Sequence, residues 1–201
     1  MPRTKEQFQK MRDARKERIL LESAKAFAIE GYDSVTVDKI VEKAKCSHGL
    51  FYHYFKNKED IYKALLARLT LDKFDKYQES LNCLEPIDAL RKICTNILEQ
   101  ISKREDAPYL LYIYLTYNLQ ANVPMTLGND KPTLGFSKIL SLIILGQEKG
   151  QVALGDPEEY LVCFVSLLRG LIYTHINKIA HKKPVTIPSV DVLMNLFIRK
   201  D

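Results

Sequence analysis

The sequence lacks the short motifs by which catalytic and metal sites are usually recognised. It contains no glycine-rich phosphate-binding loop, no metal-ligand motif and no Gly-x-Ser-x-Gly turn. Ser47 and His48 are adjacent but do not form a catalytic triad, and His181 lies six residues from His175, which is not ligand spacing on one helix face. We therefore predict no catalytic residue, no metal and no cofactor. An enzyme or small-molecule carrier built on helices stays a minor alternative.

The sequence also has few features of a secreted or membrane protein. Its four cysteines include no Cys-x-x-Cys pair, which favours reduced thiols over a disulfide framework. The charged N-terminus is not followed by the apolar core of a signal peptide. The longest apolar stretch is interrupted at Arg169 and is too short to span a bilayer. We therefore expect a cytoplasmic protein without a membrane segment, and a redox role for Cys46 stays open.

Charge is unevenly distributed along the chain. The 201 residues carry a net charge of only +5, so composition alone does not indicate a nucleic-acid-binding protein. Residues 1–18, however, contain seven Lys or Arg and three Asp or Glu. Such a basic terminus can contact phosphate if a DNA-binding element lies beside it. The alternative is a solvated terminus.

Two short helical patterns joined by a tight turn lie between Ser34 and Ala64. Thr36 precedes the first pattern and can cap it, and Ser47 can cap the second, which runs from His48 to Tyr54. Asn57 then begins a third helix with acidic residues in its first turn. Two short helices joined in this way predict a helix-turn-helix, whose second helix fits the major groove of DNA.

Tyr52 to Glu59 form a Tyr-x-Tyr-Phe-x-x-Lys-Glu pattern. It ends a longer set of residues that recur in a known order: Gly31, Tyr32, Thr36, Val37, Ile40, Val41, Ala44, Ser47, Gly49, Phe51, Tyr52, His53, Tyr54, Phe55, Lys58 and Glu59. Through these residues the region resembles the DNA-binding domain of the TetR (tetracycline-repressor-like) transcriptional regulators. The Tyr52 to Glu59 pattern is the most specific part of the resemblance, and Lys45 departs from the glycine that many members carry in the turn.

The residue types around the turn indicate their roles. We predict that the DNA-contacting residues are Thr36, Lys45, Ser47, His48, Gly49, Tyr52, His53 and Lys58. The resemblance implies that Tyr52 and Lys58 contact the DNA backbone. The alternative for Tyr52 and His53 is packing against the first helix, and for Thr36 and Lys58 it is helix capping and solvation.

The rest of the chain shows longer and more apolar helical patterns. We predict helices from Pro86, from Ala107 to Gln120, from about Thr133 to Lys149 and from Pro157, with a last helix from about Ser189 to Arg199. The fold class is therefore all-α. An N-terminal three-helix domain (1–62, motif 36–55) would precede a C-terminal helical bundle (63–201).

This C-terminal bundle is where we expect ligand binding and dimerisation. An effector pocket can be lined by residues of one helix, either Tyr112 with Thr116 or Tyr114 with Tyr117 and Leu110. The tyrosines supply both apolar rings for its wall and hydroxyl groups. The alternative is an aromatic core. Arg169 can meet an anionic ligand, or else pair across subunits or with backbone. The two C-terminal helices are apolar on more sides than a monomer buries, which favours a homodimer, and the resemblance implies the same.

Together these features predict a sequence-specific, ligand-responsive homodimeric repressor. Its partners would be a palindromic operator in double-stranded DNA and a small-molecule effector of unknown identity. The alternative of another class is a DNA-bound structural protein that organises the nucleoid or holds a protein partner.

Overall fold

The computed structural model describes residues 5–70, 79–116 and 136–198, and within these ranges every regular element is helical. The all-α prediction is therefore confirmed. The helices are α1 (Lys5–Glu30), α2 (Val37–Ala44), α3 (His48–Tyr54), α4 (Lys58–Thr70), α5 (Pro86–Lys103), α6 (Ala107–Thr116), α7 (Phe136–Glu148), α8 (Pro157–Ala180) and α9 (Val190–Met194). Residues 79–82 are helical as well.

Local signals set the ends of the N-terminal helices as predicted. Thr36 accepts a hydrogen bond from the Lys39 amide (3.3 Å), and Ser47 accepts one from the Leu50 amide (3.1 Å). Between these caps, Lys45 adopts left-handed backbone (φ 51°, ψ 48°), which ends α2. The Asn57 side chain accepts from the Asp60 amide (2.8 Å) and so begins α4.

The first hydrophobic core lies where α1, α2, α3 and α4 meet and continues onto α6. Phe27, Ile40 and Phe51 are at most 1% exposed in it. Leu110 and Ile113 of α6 belong to the same core. The four N-terminal helices are thus packed directly against a later helix, and the boundary at residue 62 stays a prediction.

The second core joins α5, α7, α8 and α9. Ile143, Phe164 and Phe197 are buried in it, and the Phe164 and Phe197 rings lie 5.3 Å apart. The Asp156 carboxylate caps α8 by accepting from the Glu158 amide (2.8 Å), as its sequence predicts. This core positions α8 against both α6 and α7.

Several predicted boundaries are corrected by the structure. From its spacing of apolar residues the sequence predicts a first helix from about Asp13 to Glu30. In the structure α1 begins at Lys5, and the last helix spans only Val190–Met194. The chain turns after Met194, because Leu193, Met194 and Phe197 are all drawn into the second core. The predicted loop between 122 and 132 lies outside the described residues.

The apolar stretch interrupted at Arg169 was expected to be too short to span a bilayer, but in the structure it is part of a longer helix, α8. By length and composition alone this 24-residue helix, with mean hydropathy 1.2, is long and apolar enough to cross a membrane. One side of it packs in the two cores through Phe164, Leu168 and Ile172, and its Arg169 donates a hydrogen bond to another helix. Helices of this composition also serve as packed helices in helical bundles.

Candidate nucleic-acid interface and ligand cleft

One face of α3 is exposed while the other is buried in the first core. Phe51 is 0% and Phe55 3% exposed, and both rings anchor the helix. The predicted contact residues Ser47, His48, Gly49 and His53 are all exposed, and Tyr52 is 56% exposed. The alternative that Tyr52 and His53 pack against α1 does not describe this structure. A short helix held by buried rings thus presents polar and aromatic groups outward.

Contacts with neighbouring residues orient these exposed side chains. The Tyr52 ring meets Phe51 edge-on (centroids 5.4 Å apart), and the His53 ring meets Tyr54 edge-on (4.9 Å). His48 Nε2 lies 3.5 Å from Asp38 Oδ1, which links α3 to α2. The contact face therefore has a defined shape before any partner binds.

The structure places Lys58 differently from the other predicted contact residues. Its Nζ donates to the Tyr32 carbonyl (2.8 Å) and lies 4.2 Å from the centre of the Tyr32 ring. Lys58 therefore ties the start of α4 to the chain after α1. Thr36 and Lys45 remain exposed at the two ends of α2, and the Thr36 hydroxyl also serves as the helix cap.

Ion pairs hold α2 against the end of α1. Glu30 accepts from Lys39 (3.0 Å) and from Lys43 (2.9 Å), and Lys39 also donates to the Ser34 carbonyl (2.9 Å). The hydrogen bonds from Lys43 and Lys39 lower the pKa of Glu30 below its usual value. The first helix of the helix-turn-helix is thus fixed in orientation at its exposed side as well as by its core.

Cys46 lies half-buried in the turn before α3. Burial raises the pKa of its thiol, and the charge of Arg18 offsets this only in part. The protonated thiol is therefore favoured, which opposes reactivity toward oxidants because the thiolate is the reactive form.

The residues predicted to line an effector pocket lie in different surroundings. Leu110 is 1% exposed and faces the first core, whereas Tyr114 is buried with its ring 6.0 Å from that of Phe136. Tyr112 is half-buried, its ring is 5.8 Å from that of Tyr173 in α8, and burial raises its pKa. Tyr117 lies outside the described residues.

Arg169 is the only predicted pocket residue with a charge. One of its terminal nitrogens donates to the Leu115 carbonyl (3.2 Å), which agrees with the predicted alternative of a bond to backbone. Its Nε is buried and has no hydrogen-bond partner. Arg169 also acts electrostatically on Tyr112, so the two residues lie in one neighbourhood. A buried guanidinium with an unused donor is a suitable contact for a polar ligand group.

A cleft that the sequence did not predict lies where α1 meets the C-terminal helices. Its volume is about 390 Å³, within the range of small-molecule sites. Apolar residues, cations and one buried histidine line it: Lys25, Ile101, Ser102, Lys103, Arg104, Glu105, Pro108, Tyr109, His175, Ile179, Val185 and Ile187. His175 is 8% exposed, its Nδ1 has no partner, and burial lowers its pKa, so the ring is held neutral.

Ion pairs at the edge of this cleft connect α1 and α4 to the segment between α5 and α6. Lys25 of α1 pairs with Glu105 (2.9 Å) and with Glu22 (3.1 Å). Burial lowers the pKa of Lys25, but the two carboxylates outweigh it and raise that pKa above its usual value. Arg68 of α4 bonds Glu17 and lies 3.7 Å from Asp106. A movement of the α5–α6 segment would therefore alter its ion pairs with α1 and α4.

A short exposed helix that follows another helix across a tight turn, as α3 follows α2, is typical of helix-turn-helix DNA-binding proteins. Residues 19–65 match the family model for bacterial regulatory proteins of the tetR family. The similarity to this family therefore covers the N-terminal helices, from the second half of α1 into α4.

Other similarities extend over most of the chain. The chain is 24% identical over 192 residues (93% of its length) to an uncharacterised HTH-type transcriptional regulator, YerO, of Bacillus subtilis (strain 168). Its fold is similar to a crystal structure of a HlyIIR mutant protein (TM-score 0.68, 18% identity, 100% of both chains). It is also similar to a gamma-butyrolactone receptor described as an ArpA-like protein (TM-score 0.64, 18% identity, 92% of this chain and 98% of that one). The chain spans only 63%, 32% and 45% of the lengths of three curated relatives that it matches.

Proposed function

We propose that the protein is a sequence-specific transcriptional regulator, a homodimeric repressor whose DNA affinity responds to a small-molecule effector. The observation that carries the proposal is the exposed polar face of α3, held rigid by buried Phe51 and Phe55 within the region that matches the family. The absence of any recognised catalytic motif fits a regulator better than an enzyme. Such a protein would act on DNA in the cytoplasm.

Dimerisation is part of the proposal because one α3 touches too few bases to specify an operator. A two-fold dimer would present two copies of α3 to half-sites about one helical turn, or ~34 Å, apart. The exposed faces of α7 and α8 are the best candidates for the interface. Ile144 and Leu145 of α7 and Val162, Leu167 and Tyr173 of α8 are each at least 41% exposed in the protomer.

We propose α7, rather than α9, as the partner of α8 in this interface. The sequence suggested the two C-terminal helices, but α9 is short and its Leu193 and Met194 are buried in the protomer's own core. Leu167→Glu in α8 should therefore give a monomer, whereas Val192→Glu on the exposed side of α9 should not. Sedimentation at several concentrations distinguishes them, and dissociation of only the Val192 variant would contradict the assignment.

The four cysteines offer an independent measurement on the unmodified protein. Cys83 and Cys163 are both exposed in the protomer, but only Cys163 lies in α8. If α8 is covered in a dimer, a maleimide should label Cys163 more slowly as protein concentration rises, and Cys83 at a constant rate. Equal concentration dependence at both thiols would count against the interface.

An effector would act by shifting the balance between two dimer geometries. Only a ligand that binds one geometry more tightly than the other can change DNA affinity. The Tyr112–Arg169 neighbourhood and the cleft that contains His175 are both suitable for a ligand of mixed character. The gamma-butyrolactone receptor among similar folds supports a small-molecule effector. The Lys25–Glu105 and Arg68–Asp106 pairs supply a route from these places to α1 and α4.

Genome-wide selection of DNA fragments by the purified protein, at a stated salt concentration, tests the function. One or a few palindromic sites near the protein's own gene would support a local repressor. Many scattered sites would instead favour a nucleoid-organising role, and no enrichment above background would refute the proposal. His53→Ala should reduce enrichment, whereas His181→Ala, at an exposed histidine after α8, serves as the control.

A further inference from the structure

The first helix extends well beyond the region that matches the family. α1 begins at Lys5, whereas the match begins at residue 19, so the first half of the helix has no role assigned by the comparison. All residues from Arg12 to Arg18 are exposed. The exposed side chains of this extension are therefore either solvated or in contact with a partner molecule.

Charges are segregated around this extension. Its basic face consists of Arg12, Arg15, Lys16 and Arg18, and among the described residues none of these four side chains is paired with a carboxylate. The acidic residues are engaged elsewhere: Asp13 accepts from Gln9 (3.0 Å), and Glu17 bonds Arg68 of α4. With Asp13 and Glu17 bonded to other residues, the four basic side chains have no carboxylate partner among the described residues.

Two residues of this basic face lie near the two ends of the recognition helix. The Tyr54 hydroxyl at the end of α3 donates to the Arg12 carbonyl (3.2 Å). Near the start of α3, the positive charge of Arg18 partly offsets the effect of burial on the pKa of the Cys46 thiol, so Arg18 lies in the neighbourhood of the turn. The basic face is therefore close to α3 at both of its ends.

That position matches the backbone of a duplex whose major groove holds α3. The major groove is ~12 Å wide and is bordered by phosphates on both sides. An element that contacts the recognition helix through the Tyr54 side chain is close enough for its long basic side chains to extend toward such a bordering backbone. We propose that the basic face of α1 is a second DNA-contacting element that binds phosphates flanking the half-site. This inference rests on the proposed DNA-binding function.

Salt dependence of operator binding provides the test. The variant is Arg15→Gln with Lys16→Gln, because glutamine keeps helix propensity while removing charge. Each phosphate contact contributes about 0.9 to the slope of log affinity against log salt, so losing two contacts per protomer in a dimer should reduce the slope by about 3 to 4. Phosphate contacts carry no sequence information, so the preference for operator over scrambled DNA should be unchanged.

A matched control separates the basic face from a general loss of charge. Lys182→Gln with Lys183→Gln removes the same charge from exposed positions after α8. An equal change of slope in the two variants would overturn the inference, as would a loss of sequence preference in the α1 variant. If the unmodified protein binds no operator, the proposed function itself fails, which is a different outcome.

Discussion

The protein should be more stable with glycine in place of Lys45, at the end of α2. Its φ of 51° and ψ of 48° lie in the left-handed region, where a residue with a Cβ is strained by about 1–2 kcal/mol relative to glycine. Glycine in turn gains more freedom in the unfolded chain, which offsets about 0.4–1 kcal/mol. Because Lys45 is exposed, its removal sacrifices no packing. Lys45→Gly should therefore stabilise the protein by about 0.5–1 kcal/mol, or roughly 2 °C in melting temperature.

Urea unfolding followed by circular dichroism measures this difference, at one fixed protein concentration because dimerisation affects apparent stability. Lys45→Ala is the control, since it removes the same charge but keeps the Cβ. A glycine variant no more stable than the alanine variant would refute the reasoning. Without the predicted gain, the turn before α3 would not be strained. In operator binding the two variants should lose similar affinity, because both lack the exposed ammonium group.

Two further substitutions test the packing and the electrostatics of the fold. Gly146→Ala places a methyl 2.5 Å from a Val152 carbon and should destabilise the protein by about 1–3 kcal/mol. Gly49→Ala is the control and should not destabilise, because its methyl comes no closer than 4.0 Å to Ser47 Oγ, the nearest side-chain atom outside its two chain neighbours; thermal melting compares the two variants. Glu30→Gln should reduce stability at pH 7, because Lys43 and Lys39 lower the pKa of Glu30 in the folded state. That stabilisation is present above the unfolded pKa of about 4.5 and is lost as pH falls through the folded value, so unfolding midpoints of the two proteins should converge in acid. A difference between the midpoints that does not shrink as the pH falls below 4.5 would show that Glu30 acts through something other than its charge.

The helix-turn-helix could be predicted from sequence because its signals are local. Thr36, Ser47 and Asn57 each cap a helix by accepting from an amide three residues ahead, so the residue type and spacing suffice. The alternation of buried and exposed residues in α3 likewise follows from helical spacing. These features indicate which face of α3 is exposed without any knowledge of the remaining chain.

Lys58 makes a contact that local signals do not reveal. Its position at a helix start suggests phosphate binding, which stays a prediction. In the protomer its ammonium group contacts the carbonyl and ring of Tyr32, 26 residues earlier. Local signals also did not predict where the last helix ends. Its apolar pattern suggested a long helix at the dimer interface. Its Leu193 and Met194 are drawn into a core built by α5 and α8, so the chain turns early.

By itself the sequence determined the helical class, the two short helices with their caps, and the residues that α3 exposes. Only the tertiary structure decided that Lys25 meets Glu105, that His175 lines a cleft together with both, and that α8 leaves Val162 and Leu167 uncovered. The physical reason is range. Helix caps and periodicity depend on residues three or four positions apart, whereas the cleft and the uncovered face depend on how helices distant in sequence pack together.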